Sequence, residues 1–249
     1  MCKKLLIVAL SYMLMFGVSL AVAEPMPLTI ITEDWPPYNY EEEGVVKGFS
    51  VEVVQAIMKE LNVNYPIELL PGARGEDMLN RDPHVMNFSL FRTTERENRY
   101  KWIGPLSSEA IYFYKKKGNP LTFSTIEDAK GVKSVASRHK GLVFSVLQKE
   151  RFTNLDTSAY PSSIVKKVVY GRTDLGVGEP PLGLIYRLRQ ANLPIDSLEQ
   201  TQVKLLEFPL YIACTKDIPD EVIQQWQGAL EKIKTSGIYT KIYHKYLGK

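Results

Sequence analysis

Residues 48–61 read Gly48-Phe49-Ser50-Val51-Glu52-Val53-Val54-Gln55-Ala56-Ile57-Met58-Lys59-Glu60-Leu61. Val51, Val54, Ile57, Met58 and Leu61 return at helical spacing, so the stretch is a helix with one apolar face. Ser50 suits its N-cap by residue type. Short apolar runs at 28–32 and 67–70 read as strands on either side. A short helix over 74–80 and a strand over 85–90 extend the alternation. Strand–helix–strand order implies a crossover between parallel strands, which makes the class α/β: a mostly parallel sheet flanked by helices.

A second unit of the same kind follows. Its strands are expected at 132–136, 154–157 and 175–177, and its helices at 141–150, 162–170 and 181–190. Two units in one chain suggest two lobes, joined by the extended stretches around 107–114 and 207–212. A helix over 219–234 carries Val222, Ile223, Trp226, Leu230 and Ile233 on one face, and Ser236-Gly237 separates it from a last helix over 238–246. The expected division is 1–23 signal peptide, 24–107 with 210–249 as lobe one, and 108–209 as lobe two. In open α/β sheets ligands sit at the carboxyl ends of strands, so the cleft between two such lobes is the expected site.

The chain has 249 residues, 45% hydrophobic and 24% charged, which suits a folded globular protein. A formal charge of +3 is too small to imply nucleic acid as a partner. Residues 1–23 have a basic start at Lys3 and Lys4, an apolar run, and an Ala21-Val22-Ala23 exit, the tripartite pattern of a cleaved secretory signal. Export to the periplasm as a monomer follows as the expectation. Cleavage leaves Cys214 as the one cysteine, in an apolar run that reads as a buried strand, so no internal disulfide is expected. His84, His139 and His244 are isolated and show no zinc spacing, and no phosphate loop is present. Ser163-Ile164-Val165-Lys166 matches a serine-acylase pattern without its companion motifs, and reads as the polar face of a helix. No cofactor, metal or catalytic residue is expected.

Four segments carry a family resemblance. Residues 88–105 read Phe-Ser-Leu-Phe-Arg-Thr-Thr-Glu-Arg-Glu-Asn-Arg-Tyr-Lys-Trp-Ile-Gly-Pro. Gly48-Phe49-Ser50-Val51-Glu52, Gly171-Arg172-Thr173-Asp174-Leu175 and Ser236-Gly237-Ile238-Tyr239 stand in register with them. Together they resemble the family 3 bacterial extracellular solute-binding proteins, the polar amino acid receptors of ABC importers. The resemblance implies the two-lobed type II periplasmic-binding-protein fold, with two extended hinge crossovers, and capture of an amino acid or related carboxylate by lobe closure. It implies that Arg96 clamps the ligand carboxylate, a role a planar donor fork suits. Glu179 would meet the α-ammonium, Trp35 and Tyr38 would flank the side chain, and Ser89 and Phe91 would line the site.

Some positions depart from that pattern. Arg138-His139-Lys140 replaces the second lobe's usual Gly-Thr-Thr, and Arg92 fills a slot that is usually apolar. With Arg74 and Arg96, four candidate arginines face one glutamate, which suggests an anionic or strongly polar ligand. Two other functions fit the same scaffold: an enzyme resembling cyclohexadienyl dehydratases, with Glu179 or His139 as its acid, and a soluble sensor for a receptor kinase.

Overall fold

The helix expected at 48–61 spans Phe49–Glu60 (α1) in a computed structural model of the chain, which describes residues 26–248. The expected signal peptide lies outside the described residues. Val51, Val54, Ile57 and Met58 of α1 are buried, as their spacing requires, and Phe49, Ser50 and Val53 join them. Its N-cap is Gly48, not Ser50. Ser50 lies one step inside the helix with a buried hydroxyl that has no partner. Gly48 has φ 134° and packs against the Tyr38 backbone, where a Cβ would overlap the carbonyl. Backbone crowding, not side-chain capping, therefore sets where α1 begins.

The first lobe's elements are β1 (Thr29–Thr32), a hairpin of β2 (Tyr40–Glu42) and β3 (Val45–Lys47), α1, β4 (Ile67–Leu69), α2 (Gly72–Arg81), β5 (Val85–Phe91) and the short α3 (Thr94–Glu97). A 16-residue strand, β6 (Lys101–Lys116), follows. The second lobe adds α4 (Ile126–Gly131), β7 (Val135–Arg138), α5 (Leu142–Lys149), β8 (Leu155–Ser158), α6 (Pro161–Val169), β9 (Leu175–Val177) and α7 (Pro181–Gln190). A 17-residue strand, β10 (Leu198–Cys214), leads to α8 (Asp220–Thr235) and α9 (Ile238–Leu247).

One eight-stranded sheet runs β4-β1-β5-β10-β6-β9-β7-β8. Strands β4, β1 and β5 are mutually parallel, and so are β9, β7 and β8. Between these two sets lie β6 and β10, paired antiparallel from Leu198↔Lys116 to Cys214↔Lys101. Residues 210–214 of β10 pair with β5, whereas residues 113–115 of β6 pair with β9. The fold is thus two α/β lobes joined by two long strands, the type II periplasmic-binding-protein architecture.

The terminal helices pack on α1. The Phe49 ring stands edge-on to Tyr239, Tyr243 and Tyr246 at centroid distances of 5.6, 5.7 and 6.1 Å. Lys245 and the Tyr246 hydroxyl both bind Glu52, each at 2.6 Å. Trp226, Leu230 and Ile233 of α8 are buried, the face read from their spacing. Cys214 is fully buried at the end of β10, and burial pushes its thiol up, as expected for a structural cysteine.

Tyr38 is read from the sequence as flanking the ligand side chain. Its ring is fully buried, and its hydroxyl donates to Glu109 Oε2 at 2.7 Å on β6, so it packs in the core beneath Trp35. Burial raises the Glu109 carboxyl above its usual range, and the Tyr38 bond pulls it partly back. A raised carboxyl is protonated in the fold and ionised in the unfolded chain across the window between the two values. Its contribution to stability is therefore complete below the ordinary carboxylate range and fades as pH rises through the raised value. Glu109→Gln is expected to gain on wild type in urea unfolding as pH goes from about 5 to about 8. An unchanged difference between the two pH values would show that folding does not raise the Glu109 carboxyl.

Candidate ligand cleft

The parallel strands of both lobes turn their carboxyl ends to one place. Trp35 follows β1, Phe91 ends β5, Arg138 ends β7, and Gly178 and Glu179 follow β9. With Lys140, Leu142, Pro180, Arg187, and with Ile111 and Phe208 from the two long strands, they line a cavity of ≈ 170 Å³. Its apolar wall is an aromatic cluster. Phe91 and Phe208 stand edge-on at 4.9 Å, and Trp35 lies 5.9 Å from Phe91 and 6.4 Å from Phe208. Such rings give contact area with few rotamers to freeze on binding.

The polar wall of this cavity is cationic. Arg138, Lys140 and Arg187 line it with a single carboxylate, that of Glu179. Glu179 is not free: its Oε1 accepts from Arg187 Nε at 3.0 Å, with the two side chains 11% and 13% exposed. Burial pushes the Glu179 carboxyl up, against the pull of Arg187 and Arg138. Its other oxygen lies where a Cβ of Gly183 would fall, so the glycine in the first turn of α7 leaves the room this carboxylate occupies.

A second cavity of ≈ 130 Å³ opens beside the first in lobe one, lined by Glu33, Gly72, Glu76, Asn87, Ser89, Leu90, Phe91 and Arg96. Phe91 is the wall common to both. Arg96, on α3, is one-quarter exposed and meets Glu76 at 3.4 Å. The Glu33 carboxyl is raised by partial burial and lowered by Arg96. Ser89 has φ 65°, a conformation L-residues seldom adopt. It falls where β5 and β10 slip register, since Tyr211 pairs with Leu90 and Ile212 with Phe88. This bulge turns the Ser89 hydroxyl to Asn39 Oδ1 at 2.6 Å, and Asn39 in turn donates to the Glu33 carbonyl. The Glu33–Trp35 turn is thereby tied to β5. Asn87 is 5% exposed on the same strand face, and its Oδ1 accepts no hydrogen bond.

Of the residues named from the sequence, Trp35, Phe91, Arg138 and Glu179 line the larger cavity, and Arg96, Ser89 and Phe91 the smaller. Two line neither. Arg92 holds Glu97 through Nε at 2.6 Å and through a second guanidinium nitrogen, and lies over the Trp102 and Tyr211 rings at 5.7 and 5.5 Å. Arg74 is exposed on α2. The family pattern puts Arg92 in a slot that is usually apolar and both arginines near the expected cleft positions; here Arg92 is engaged by Glu97 and two rings, and Arg74 is exposed. The sequence reading missed Glu33, Asn87, Arg187 and Phe208. Strand alternation places Asn87 on the Ser89 face, and Arg187 lies eight residues, about two helical turns, beyond Glu179. Glu33 and Phe208 leave no comparable trace.

Among the described residues no three His, Cys, Asp or Glu side chains gather to hold a metal ion, and no helix is long and apolar enough to cross a membrane. The family model for bacterial extracellular solute-binding proteins, family 3, matches residues 28–249. The chain belongs to that family. This family 3 solute-binding protein is 26% identical over 218 residues to the probable amino-acid-binding protein YxeM of Bacillus subtilis, covering 84% of this chain and 79% of that one. It is 24% identical over 239 residues to the arginine-binding periplasmic protein of Mannheimia haemolytica, covering 94% and 96%. The second substrate-binding domain of Lactococcus lactis GlnP, solved in an open conformation, superposes with a TM-score of 0.72 at 16% identity, covering 90% of this chain and 97% of that one. An ancestral cationic amino acid solute-binding protein gives 0.72 at 22% identity, covering 88% and 95%.

Proposed function

We propose that this solute-binding protein captures an amino acid or related carboxylate between its lobes and delivers it to the membrane subunits of an ABC importer. The observation that carries the reading is the ≈ 170 Å³ cavity, whose walls come from both lobes and from both connecting strands. A molecule held there gains contacts from both sides at once and favours the closed arrangement over the open one. Arg96 receives the carboxylate, Trp35 and Phe91 cover the side chain, and Ser89, Arg138 and Glu179 complete the surround. Lobe one comprises 24–107 with 210–249, and lobe two 108–209, a division supported by the exchange of sheet neighbours along β6 and β10. The protein works as a periplasmic monomer after loss of residues 1–23. The names of its amino-acid-binding relatives support the ligand class.

Binding is favoured over catalysis on this scaffold. The Glu179 carboxylate is engaged by Arg187, and His139 is exposed, so neither is arranged as a general acid for a leaving hydroxyl. A thermal-shift screen of amino acids and dicarboxylates tests the reading: a true ligand at 100 times its Kd stabilises by about 2.7 kcal/mol. Incubation with prephenate or arogenate should yield no new product absorbance, and turnover of either would replace binding with catalysis.

A further inference from the structure

Charge is divided unequally between the two halves of the cleft. The lobe-one cavity holds Glu33 and Glu76 against Arg96, two carboxylates to one guanidinium. The cavity between the lobes holds Arg138, Lys140 and Arg187 against Glu179, three cations to one carboxylate already bound by Arg187.

We propose that the ligand is an amino acid with a second, anionic group on its side chain, bound with its ammonium in lobe one and its side-chain anion in lobe two. This rests on the proposed binding function and reverses the role that motif matching gives to Glu179. The ligand zwitterion enters the 3.4 Å contact between Arg96 and Glu76. Its carboxylate takes the Arg96 fork, and its ammonium takes Glu76 and Glu33, so every charge in the lobe-one cavity keeps an opposite partner. The side chain then passes the Phe91 ring, the wall common to both cavities, into the aromatic cluster of Trp35 and Phe208. Its far end meets Arg138 and Lys140, both exposed and without a carboxylate of their own in this cavity. A cationic side chain would meet the like charges of Arg138 and Lys140 there, an arrangement that works against it.

Calorimetry with defined probes tests this. L-Aspartate, L-glutamate, L-2-aminoadipate and 4-carboxy-L-phenylalanine form the anionic set. L-Glutamine, L-phenylalanine and L-arginine are the neutral and cationic controls, and 2-oxoglutarate lacks the ammonium. The tightest member of the anionic set should bind at least about 10-fold more tightly than any control, the scale of one well-placed charge pair. Arg138→Gln combined with Lys140→Gln should erase that margin, bringing the anionic set down to the affinity of L-glutamine measured on the same variant. Glu76→Gln should narrow the preference for L-glutamate over 2-oxoglutarate. If a neutral or cationic amino acid binds tightest, and Arg96→Ala abolishes that binding, the charge assignment is overturned and the proposed function stands. If 2-oxoglutarate alone binds, the inference fails and the proposed function stands; if none of the probes binds, both fail.

Discussion

Replacing Arg96 with alanine is expected to weaken ligand binding by roughly 30-fold or more, because loss of one partner from a desolvated charge pair costs about 2–5 kcal/mol. The side chain is only one-quarter exposed and stands in a cavity with no other cation. Its contact with Glu76 is long, at 3.4 Å, so an incoming carboxylate with bidentate geometry displaces a weak partner. Arg96→Lys should recover part of the charge and little of the affinity, since an ammonium cannot reproduce the fork. The free protein should lose little stability, because Glu76 is 43% exposed and remains hydrated when its partner goes. Calorimetry with a ligand found by screening measures the effect. Equal affinity in wild type and Arg96→Ala would remove the carboxylate from Arg96 and make Arg138 the next candidate.

Glu179→Ala should act first on the fold. The sequence suggests a carboxylate waiting for a ligand ammonium, whose removal would leave the free protein about as stable as before. The structure gives it a resident partner instead. Arg187 donates to it at 3.0 Å, and both side chains are nearly buried. Removing one member of such a pair leaves a buried charge uncompensated, at a cost of about 3–5 kcal/mol. Urea unfolding of the ligand-free protein reads this as a lower midpoint with an unchanged slope. The double variant Glu179→Ala with Arg187→Met should recover much of the loss, since no orphaned charge then remains. A single variant as stable as wild type would mean that the ion pair does not form in solution.

These two residues also mark where the sequence was informative and where it was not. Arg96 and Glu179 each lie in or beside a motif, and each lines a cavity at the end of a parallel strand. What each touches is a matter of elements far apart in sequence or of helix phase, and no motif encodes that. The same division holds for the fold. Strand β9 and helix α7 occupy the residues expected, 175–177 and 181–190, because Gly171, Gly178 and Pro180-Pro181 punctuate them. The β2–β3 hairpin went unread, although Glu43 and Gly44 at its tip take the positive φ values, 55° and 76°, of a tight two-residue turn. The first half of β10 was missed for another reason. Its alternation is present, with Thr201, Val203 and Leu205 buried and Gln202 and Lys204 exposed, but one of the three inward residues is polar, and register slips between Gln200 and Lys204 and between Lys204 and Leu206 interrupt the ladder.

Those slips also bear on the mechanics of the molecule. Because β6 and β10 are hydrogen-bonded to each other as well as to their own lobes, the link between lobes is a ribbon and not a pair of separate strings. A two-stranded ribbon resembles a leaf spring. Flexing it out of plane or twisting it keeps its ladder intact, whereas sliding one strand along the other breaks every rung together. The irregularity between Leu210 and Ile212 sits where β10 exchanges β5 for open edge, and a bulge is a point of low bending stiffness. Relative rotation of the lobes is thereby eased at that point and at the slips between Gln200 and Leu206, while translation is resisted along the length of the ladder.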